Sequence, residues 1–395
     1  MNQSSLNPSP LSILSSPFGE RPLQRYPQAE NRGQQQALRA WDSADEYLLQ
    51  YLDTQITTGS IDLKPEKLLI INDSFGALTV SLCQYQPYML SDSYLAHTAC
   101  QRNLMLNKQR EESVTLLRSF HLPSNKVDVI LIKIPKTLAL LEDQLYRLRS
   151  VIHKNTHIVA AGMVKHIHTS TLKLFESILG PTTTSLAQKK SRLIYCQPEP
   201  AQWQGESSYP TKYMLEATDF TIVNHANVFS RASLDIGTRL FLQHLPSNTN
   251  AKDIVDLGCG NGVVGLMVAA QNPAACMHFY DESYMALASA QENMTLAFGD
   301  KVKTHYCVGN GLELAESNSV DLVFNNPPFH QQNVVGDFIA WQMFKDSKRV
   351  LRDGGEMFVV GNRHMNYHQK LERLFGNCQL LASNKKFVIL KSVKV

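Results

Sequence analysis

No run of apolar residues in this 395-residue chain approaches the length of a membrane span, and its start carries no charged-then-apolar stretch. Neither a helical membrane protein nor a signal peptide is therefore expected. Cysteine is sparse: Cys83, Cys100, Cys196, Cys259, Cys276, Cys307 and Cys378 nowhere show C-x-x-C spacing. That excludes a disulfide framework and a thiolate metal site, and reduced thiols in a cytoplasmic protein without a metal are the expectation. A dominant charge is lacking too. The 38 Lys and Arg against 35 Asp and Glu leave +3, which permits a nucleic-acid partner without arguing for one. What is present is a globular composition, 43% hydrophobic and 18% charged, over a length that suits two domains better than one core.

Residues 1–36 are rich in Ser, Pro, Gln and Asn, too polar to bury a core, and read as a flexible tail. Docking of their stray apolar residues (Leu11, Ile13, Leu14, Phe18, Leu23) on the domain behind is the second reading. Over 37–196, apolar runs such as 68–72 and 127–134 alternate with helix-like segments such as 93–106 and 137–149, which predicts an open, mostly parallel sheet. Residues 197–213 read as a linker, and 214–395 hold a second α/β unit. The halves repeat one order of signals. Leu68–Gly76 stands where Asp253–Gly260 stands later, Asp92-Ser93-Tyr94 parallels Asp281-Glu282-Ser283-Tyr284, and Val127–Lys136 parallels Val320–Phe329. This argues for a duplication. The first copy is degenerate: its turn keeps only Gly76, and Lys133-Ile134-Pro135-Lys136 replaces Asn326-Pro327-Pro328-Phe329. Lys133 and Lys136 are candidates for phosphate contacts, an ordinary solvated face being the alternative.

The second unit is organised around Asp256-Leu257-Gly258-Cys259-Gly260-Asn261-Gly262-Val263-Val264-Gly265. An apolar run reaches an acid, breaks into alternating glycines and resumes with helical spacing, which predicts strand, tight turn and helix start. Such a turn brings backbone N–H groups to a bound ligand. Gly260-x-Gly262-x-x-Gly265 with Asp281 beyond it also satisfies the dinucleotide fingerprint, so the turn alone leaves NAD open. With Asp256 before the glycines, the stretch resembles motif I of S-adenosylmethionine (SAM) methyltransferases. Asn326-Pro327-Pro328-Phe329, at the end of the run Val320–Asn325, resembles motif IV of those that methylate exocyclic or amide nitrogens.

An aromatic exocyclic amine is a poor nucleophile because its lone pair is delocalised into the ring. Transfer to it needs in-line placement and acceptors for its hydrogens. Asn326 and the carbonyl of Pro327 can supply the acceptors, the prolines fix the loop, and Phe329 offers a ring for a base to stack on. The motif resemblance further implies that Asp256 and the Gly258, Gly260 and Gly262 backbone surround the methionine part of SAM. It also places Asp281 on the ribose and Asn310 by the adenine. Upstream, Phe229 and Arg231 are candidates for the base pocket, with an edge strand and a core Phe as the alternative.

Taken together, the chain is similar to the bacterial two-domain ribosomal RNA guanine-N2 methyltransferases. Trp41–Gln50, Pro135–Glu142, Ile167–Leu172 and Gly180–Thr184 point to the branch acting on the large subunit. The resemblance runs from about Leu23 to the end. It implies two tandem Rossmann-like domains with seven-stranded mixed sheets, SAM as methyl donor, a guanine of 23S rRNA as substrate, and a cytoplasmic monomer with no membrane partner. A 16S rRNA enzyme, a protein glutamine methyltransferase and a non-catalytic RNA-binding factor are the alternatives.

Overall fold

Continuous apolar runs become strands buried on both faces. Leu68–Ile71, with every side chain buried, is the central strand of one sheet, and Asp253–Leu257 is that of another. The computed structural model describes residues 12–28, 38–246, 250–328 and 334–395, the side chains of 334–337 excepted. Contacts divide the chain into two units, Met1–Ser208 and Tyr209–Val395.

The first unit opens on an antiparallel hairpin, β1 (Ser12–Ser16) and β2 (Gly19–Leu23). Its sheet comprises β3 (Leu68–Ile71), β4 (Tyr88–Ser91), β5 (Thr115–Arg118), β6 (Val129–Lys133), β7 (His157–Met163), β8 (Thr182–Thr184) and β9 (Ser191–Cys196), in the spatial order β5-β4-β3-β6-β7-β9-β8. Its helices are α1 (Ser43–Thr57), α2 (Ala77–Ser81), α3 (Tyr94–Leu106), α4 (Leu138–Leu148) and α5 (Thr169–Ile178).

The second unit repeats the design. A hairpin, β10 (Thr211–Met214) and β11 (Thr221–Asn224), precedes β12 (Asp253–Leu257), β13 (Cys276–Asp281), β14 (Thr304–Val308), β15 (Val320–Asn325), β16 (Leu351–Asn362), β17 (Gln379–Ser383) and β18 (Phe387–Val393). The order is β14-β13-β12-β15-β16-β18-β17, with β18 antiparallel to both its neighbours. The helices are α6 (Ile236–Leu242), α7 (Val263–Gln271), α8 (Tyr284–Phe298), α9 (Val334–Val350) and α10 (Tyr367–Phe375). Alternate strand residues separate two core layers. Ile254, Phe324 and Phe358 pack with Phe241 of α6 and Leu266 of α7, while Val255, Val323 and Val359 face Phe344 and Leu371.

Two sequence-based boundaries move. The expected tail over 1–36 is folded over 12–28: Leu14 and Leu23 enter the first core, and Asn103 of α3 clamps Gln24. Its Oδ1 accepts from Gln24 N at 2.9 Å, and its Nδ2 donates to Gln24 O at 2.9 Å. Asn293 of α8 does the same to Val223 in the second hairpin, so the duplication includes the hairpins. The expected linker over 197–213 is also pinned to the first unit. Trp203 Nε1 donates to Leu179 O at 2.8 Å, and the Arg149 guanidinium donates to Gln204 O and Gly205 O. Its end, from Thr211, is already β10 of the second unit.

Candidate active site

In the second sheet the chain leaves β12 for β13 on one side and later returns as β15 on the other, which opens a crevice at the strands' C-terminal edge. Leu257 pairs with both Tyr280 and Asn325. Gly258, Asp281 and Asn326 therefore emerge side by side. Val308 pairs with Asp281, which brings the partly exposed Asn310 to the same edge, and Gly309 N donates to Asp281 O at 3.0 Å.

Gly258, Gly260 and Gly262 take φ of +67°, +55° and +74°. At Gly262, which caps α7, an added Cβ would lie 2.7 Å from Ala290 Cβ, so only glycine fits. At Gly260 an added Cβ would meet nothing within 4 Å; this is the open wall of the cradle, and the space a ligand needs is there. Asp281 fixes the turn, its Oδ2 accepting from Gly260 N at 2.9 Å and its Oδ1 from Ser283 N at 2.9 Å. Ser283, not Asp281, caps α8, accepting from Ala286 N through Oγ at 3.1 Å. Behind the turn, Asn261 Nδ2 donates to Asn224 Oδ1, and Asn293 Nδ2 donates to Asn261 O, which ties the glycine loop to the hairpin.

Asp256 differs from the expected lining role. It is 3% exposed, and its Oδ2 accepts from Gly265 N at 2.8 Å, inside the strand–helix junction. Burial pushes its carboxyl up to about 7, against the pull of the Gly265 hydrogen bond and with a further push from Asp281. It positions the turn.

Asn326 follows β15 with its amide fixed from one side, Nδ2 donating to Thr238 Oγ1 at 3.0 Å. Its Oδ1 is buried without a partner among the described residues. Thr238 sits in the first turn of α6, where Asp235 Oδ2 accepts from its backbone N at 3.0 Å. Asn325 lies on the other face, its Nδ2 donating to Leu257 O and its Oδ1 also buried without a partner among the described residues. Pro327 is buried and Pro328 exposed; Phe329 lies outside the described residues. Phe229 is 51% exposed, whereas Arg231 donates to Val228 O within its own turn. Sequence reasoning missed Asp235, Thr238 and the asparagines 224, 261 and 293.

The first unit shows the same places filled from within. By strand register Ser91, not Asp92, stands at the level of Asp281, because Ile71 pairs with Leu90 as Leu257 pairs with Tyr280. Lys133 stands at the level of Asn326, and it is no RNA-facing cation. Its side chain is 12% exposed, and Nζ lies 2.7 Å from both Asp42 Oδ1 and Asp45 Oδ1. Burial pulls that ammonium down, but Asp45 and Asp42 together push it above its ordinary value. The proposed phosphate contact fails at Lys133 for that reason; Lys136 is exposed. In the turn, Asp73 accepts from the N–H groups of Gly76, Ala77 and Thr79 and from Thr79 Oγ1. Its own carboxylate occupies that helix start.

A seven-stranded sheet in this order, with a glycine turn after its third strand and Asn-Pro-Pro after the middle one beside it, defines a methyltransferase. Residues 12–200 match the family described as RLMG N-terminal domain, and residues 219–391 match the methyltransferase small domain. The ribosomal RNA large subunit methyltransferase G of Erwinia tasmaniensis is 51% identical, over 94% of this chain and 96% of that protein. Those of Yersinia enterocolitica and Streptomyces griseus are each 49% identical, over 94% and 90% of this chain and 92% and 94% of theirs. Among solved structures, the Thermus thermophilus 16S rRNA N2 G1207 methyltransferase, in complex with AdoMet and guanosine, shares the fold at a TM-score of 0.74. That match covers 98% of both chains at 18% identity. The chain belongs to the ribosomal RNA large subunit methyltransferase G family.

Proposed function

We propose that the second unit uses SAM to methylate the exocyclic N2 of one guanine in 23S rRNA, leaving N2-methylguanosine and S-adenosylhomocysteine. The observation that carries this is Asn326. Its amide is immobilised through Nδ2 by Thr238, and its buried Oδ1 is held ready to accept at the edge where the glycine turn emerges. SAM supplies a methyl group already activated by its sulfonium, whose S–C electron pair stays on sulfur. Asn326 Oδ1 and the Pro327 carbonyl accept the N2 hydrogens, which draws the lone pair out of ring conjugation and aims it. N2 forms the bond to carbon and then releases one proton to solvent. The open wall at Gly260 suits the methionine part, Asp281 the ribose hydroxyls and Asn310 the adenine. Phe229 stacks on the base. The first unit, its own site filled, handles RNA through exposed cations such as Lys136. The protein acts as a cytoplasmic monomer.

Relatives near half identity, matched over nine-tenths of their length, carry a large-subunit name, which favours 23S over 16S rRNA. The test offers RNA from cells lacking this protein, split into 23S and 16S, with tritiated-methyl SAM. Label in 23S as N2-methylguanosine, absent with Asn326→Ala, is expected. Label only in 16S moves the substrate to the small subunit. SAM binding with no label in RNA or subunits overturns the reading.

A further inference from the structure

On the sheet face that Asn326 shares, a second amide oxygen is buried without a partner among the described residues. Asn362 ends β16, is 7% exposed, and its Oδ1 accepts from nothing. Strand alternation puts it on the face that carries α6. Phe358 and Val360 pack in that layer and Asn362 follows in phase, as Asn326 follows Phe324 on the neighbouring strand. The two phenylalanines stack at 5.1 Å beneath them. Asn362 pairs with Phe387 of β18, and the Phe387 ring closes on α6, where a Cβ at Gly237 would lie 2.9 Å from it. Gly237 adjoins Thr238, the residue that holds Asn326. Two partnerless acceptors thus flank one helix start at the ligand end of adjacent strands.

A fold rarely leaves buried acceptors unpaired, and those it does leave call for a donor from outside. Guanine presents two donors side by side on its Watson–Crick edge, N1–H and N2–H, whereas adenine presents an acceptor at N1. Resting on the guanine-N2 reading above, we propose that Asn362 Oδ1 accepts the N1–H of the target guanine while Asn326 Oδ1 takes an N2 hydrogen. Asn362 is then the residue that reads guanine, and Asn326 the one that places the amine. A site built to pair a donor discriminates strongly against an analogue lacking it, because its own buried acceptor is then stranded.

The experiment uses the full-length enzyme and the 23S fragment that carries label in the transfer assay. The fragment is made with guanine or with 2-aminopurine at the target; the latter keeps the exocyclic amine and lacks N1–H. The readout is the ratio of kcat/KM for the two RNAs. Wild type is expected to favour guanine strongly. Asn362→Ala should lower kcat/KM for guanine about 10- to 100-fold while leaving 2-aminopurine nearly unchanged, so the ratio collapses. Asn362→Asp, which keeps the acceptor and removes the amide donor, should retain the ratio within a few-fold. Equal losses on both RNAs with Asn362→Ala would make the residue merely structural and overturn the inference. A ratio lost with Asn362→Asp as well would assign the reading to the amide nitrogen and also overturn it. Label that wild type places on an atom other than N2 of the target guanine would instead sink the guanine-N2 reading on which the inference stands.

Discussion

Lys133→Asn should destabilise the first unit sharply, and a second substitution, Asp45→Thr, should rescue it. Lys133 Nζ bridges Asp42 and Asp45, with the Lys133 and Asp45 side chains 12% and 7% exposed. Removing one partner of so buried a pair costs about 3–5 kcal/mol. Nearly all of that falls on Asp45, because Asp42, 51% exposed, re-solvates and still caps α1 through Ala44 N at 2.8 Å. For a unit of this size each kcal/mol shifts Tm by roughly 2–4 °C, so a fall on the order of 10 °C is expected. The double variant reproduces the pair found in the second unit, where Asn326 Nδ2 donates to Thr238 Oγ1 at 3.0 Å. It should recover to within about 1 kcal/mol of wild type. Burial already raises Asp45, and losing Lys133 raises it further. An acid raised in the folded state weakens folding as pH climbs through its folded pKa, so the deficit of the single variant should shrink in acid and grow towards pH 8. Calorimetry of the full chain at pH 5 and 8 measures this, alongside RNA affinity. A stable single variant, or a loss of RNA affinity at unchanged Tm, would refute the reasoning and return Lys133 to the RNA-facing surface.

Thr238→Val removes the hydroxyl that immobilises Asn326; kcat should fall about tenfold, worth about 1.4 kcal/mol, with SAM affinity unchanged by titration calorimetry. Gly262→Ala and Gly260→Ala should separate stability from binding. The former meets Ala290 at φ +74° and should lose roughly 2–5 kcal/mol in denaturant titration. The latter pays only the φ term, about 1–2 kcal/mol, yet should weaken SAM binding by filling the open wall. Asp256→Asn keeps an acceptor for Gly265 N and cannot ionise. Because Asp256 rises from 3.8 to about 7 on folding, wild type loses stability as pH climbs from 4 to 7. The variant should therefore gain on wild type across that window, by an amount on the order of 3–4 kcal/mol, read from urea midpoints at pH 4, 6 and 8.

Local signals carried most of this architecture. Apolar runs gave the inner strands, the glycine spacing gave the turn with its three positive φ angles, and Asn-Pro-Pro ended the strand that register sets beside that turn. What escaped sequence reasoning was held by distant partners. Each strand of the first hairpin buries little more than one side chain, and its anchor, Asn103, lies 79 residues from Gln24. Lys133 at a strand end reads as a solvated cation until the fold brings Asp42, 91 residues earlier, against it. Asp256 reads as a ligand-facing acid by its place in the motif, and only the course of α7 turns it inward to Gly265. For Asn362 the sequence offers only a strand end at the sheet's ligand-binding edge; that its oxygen has no partner among the described residues shows only in the fold.

The two units make the same point from opposite directions. Both cap the helix after the central strand with a left-handed glycine, Gly76 and Gly262, and both carry a side chain from the strand end towards the first turn of the preceding helix. In the first unit three corresponding places are answered internally: Asp73 takes the N–H groups of the turn, Ser91 replaces the carboxylate, and Lys133 is neutralised by Asp42 and Asp45. In the second, the wall at Gly260 stays open, and among the described residues the oxygens of Asn326 and Asn362 have no partner. An unpaired buried acceptor destabilises a fold by about 1–3 kcal/mol, and on the reading proposed above an outside donor completes the two on this face. On that reading, the difference between an active and an emptied copy lies in which hydrogen-bonding groups a shared backbone leaves for a guanine edge to complete.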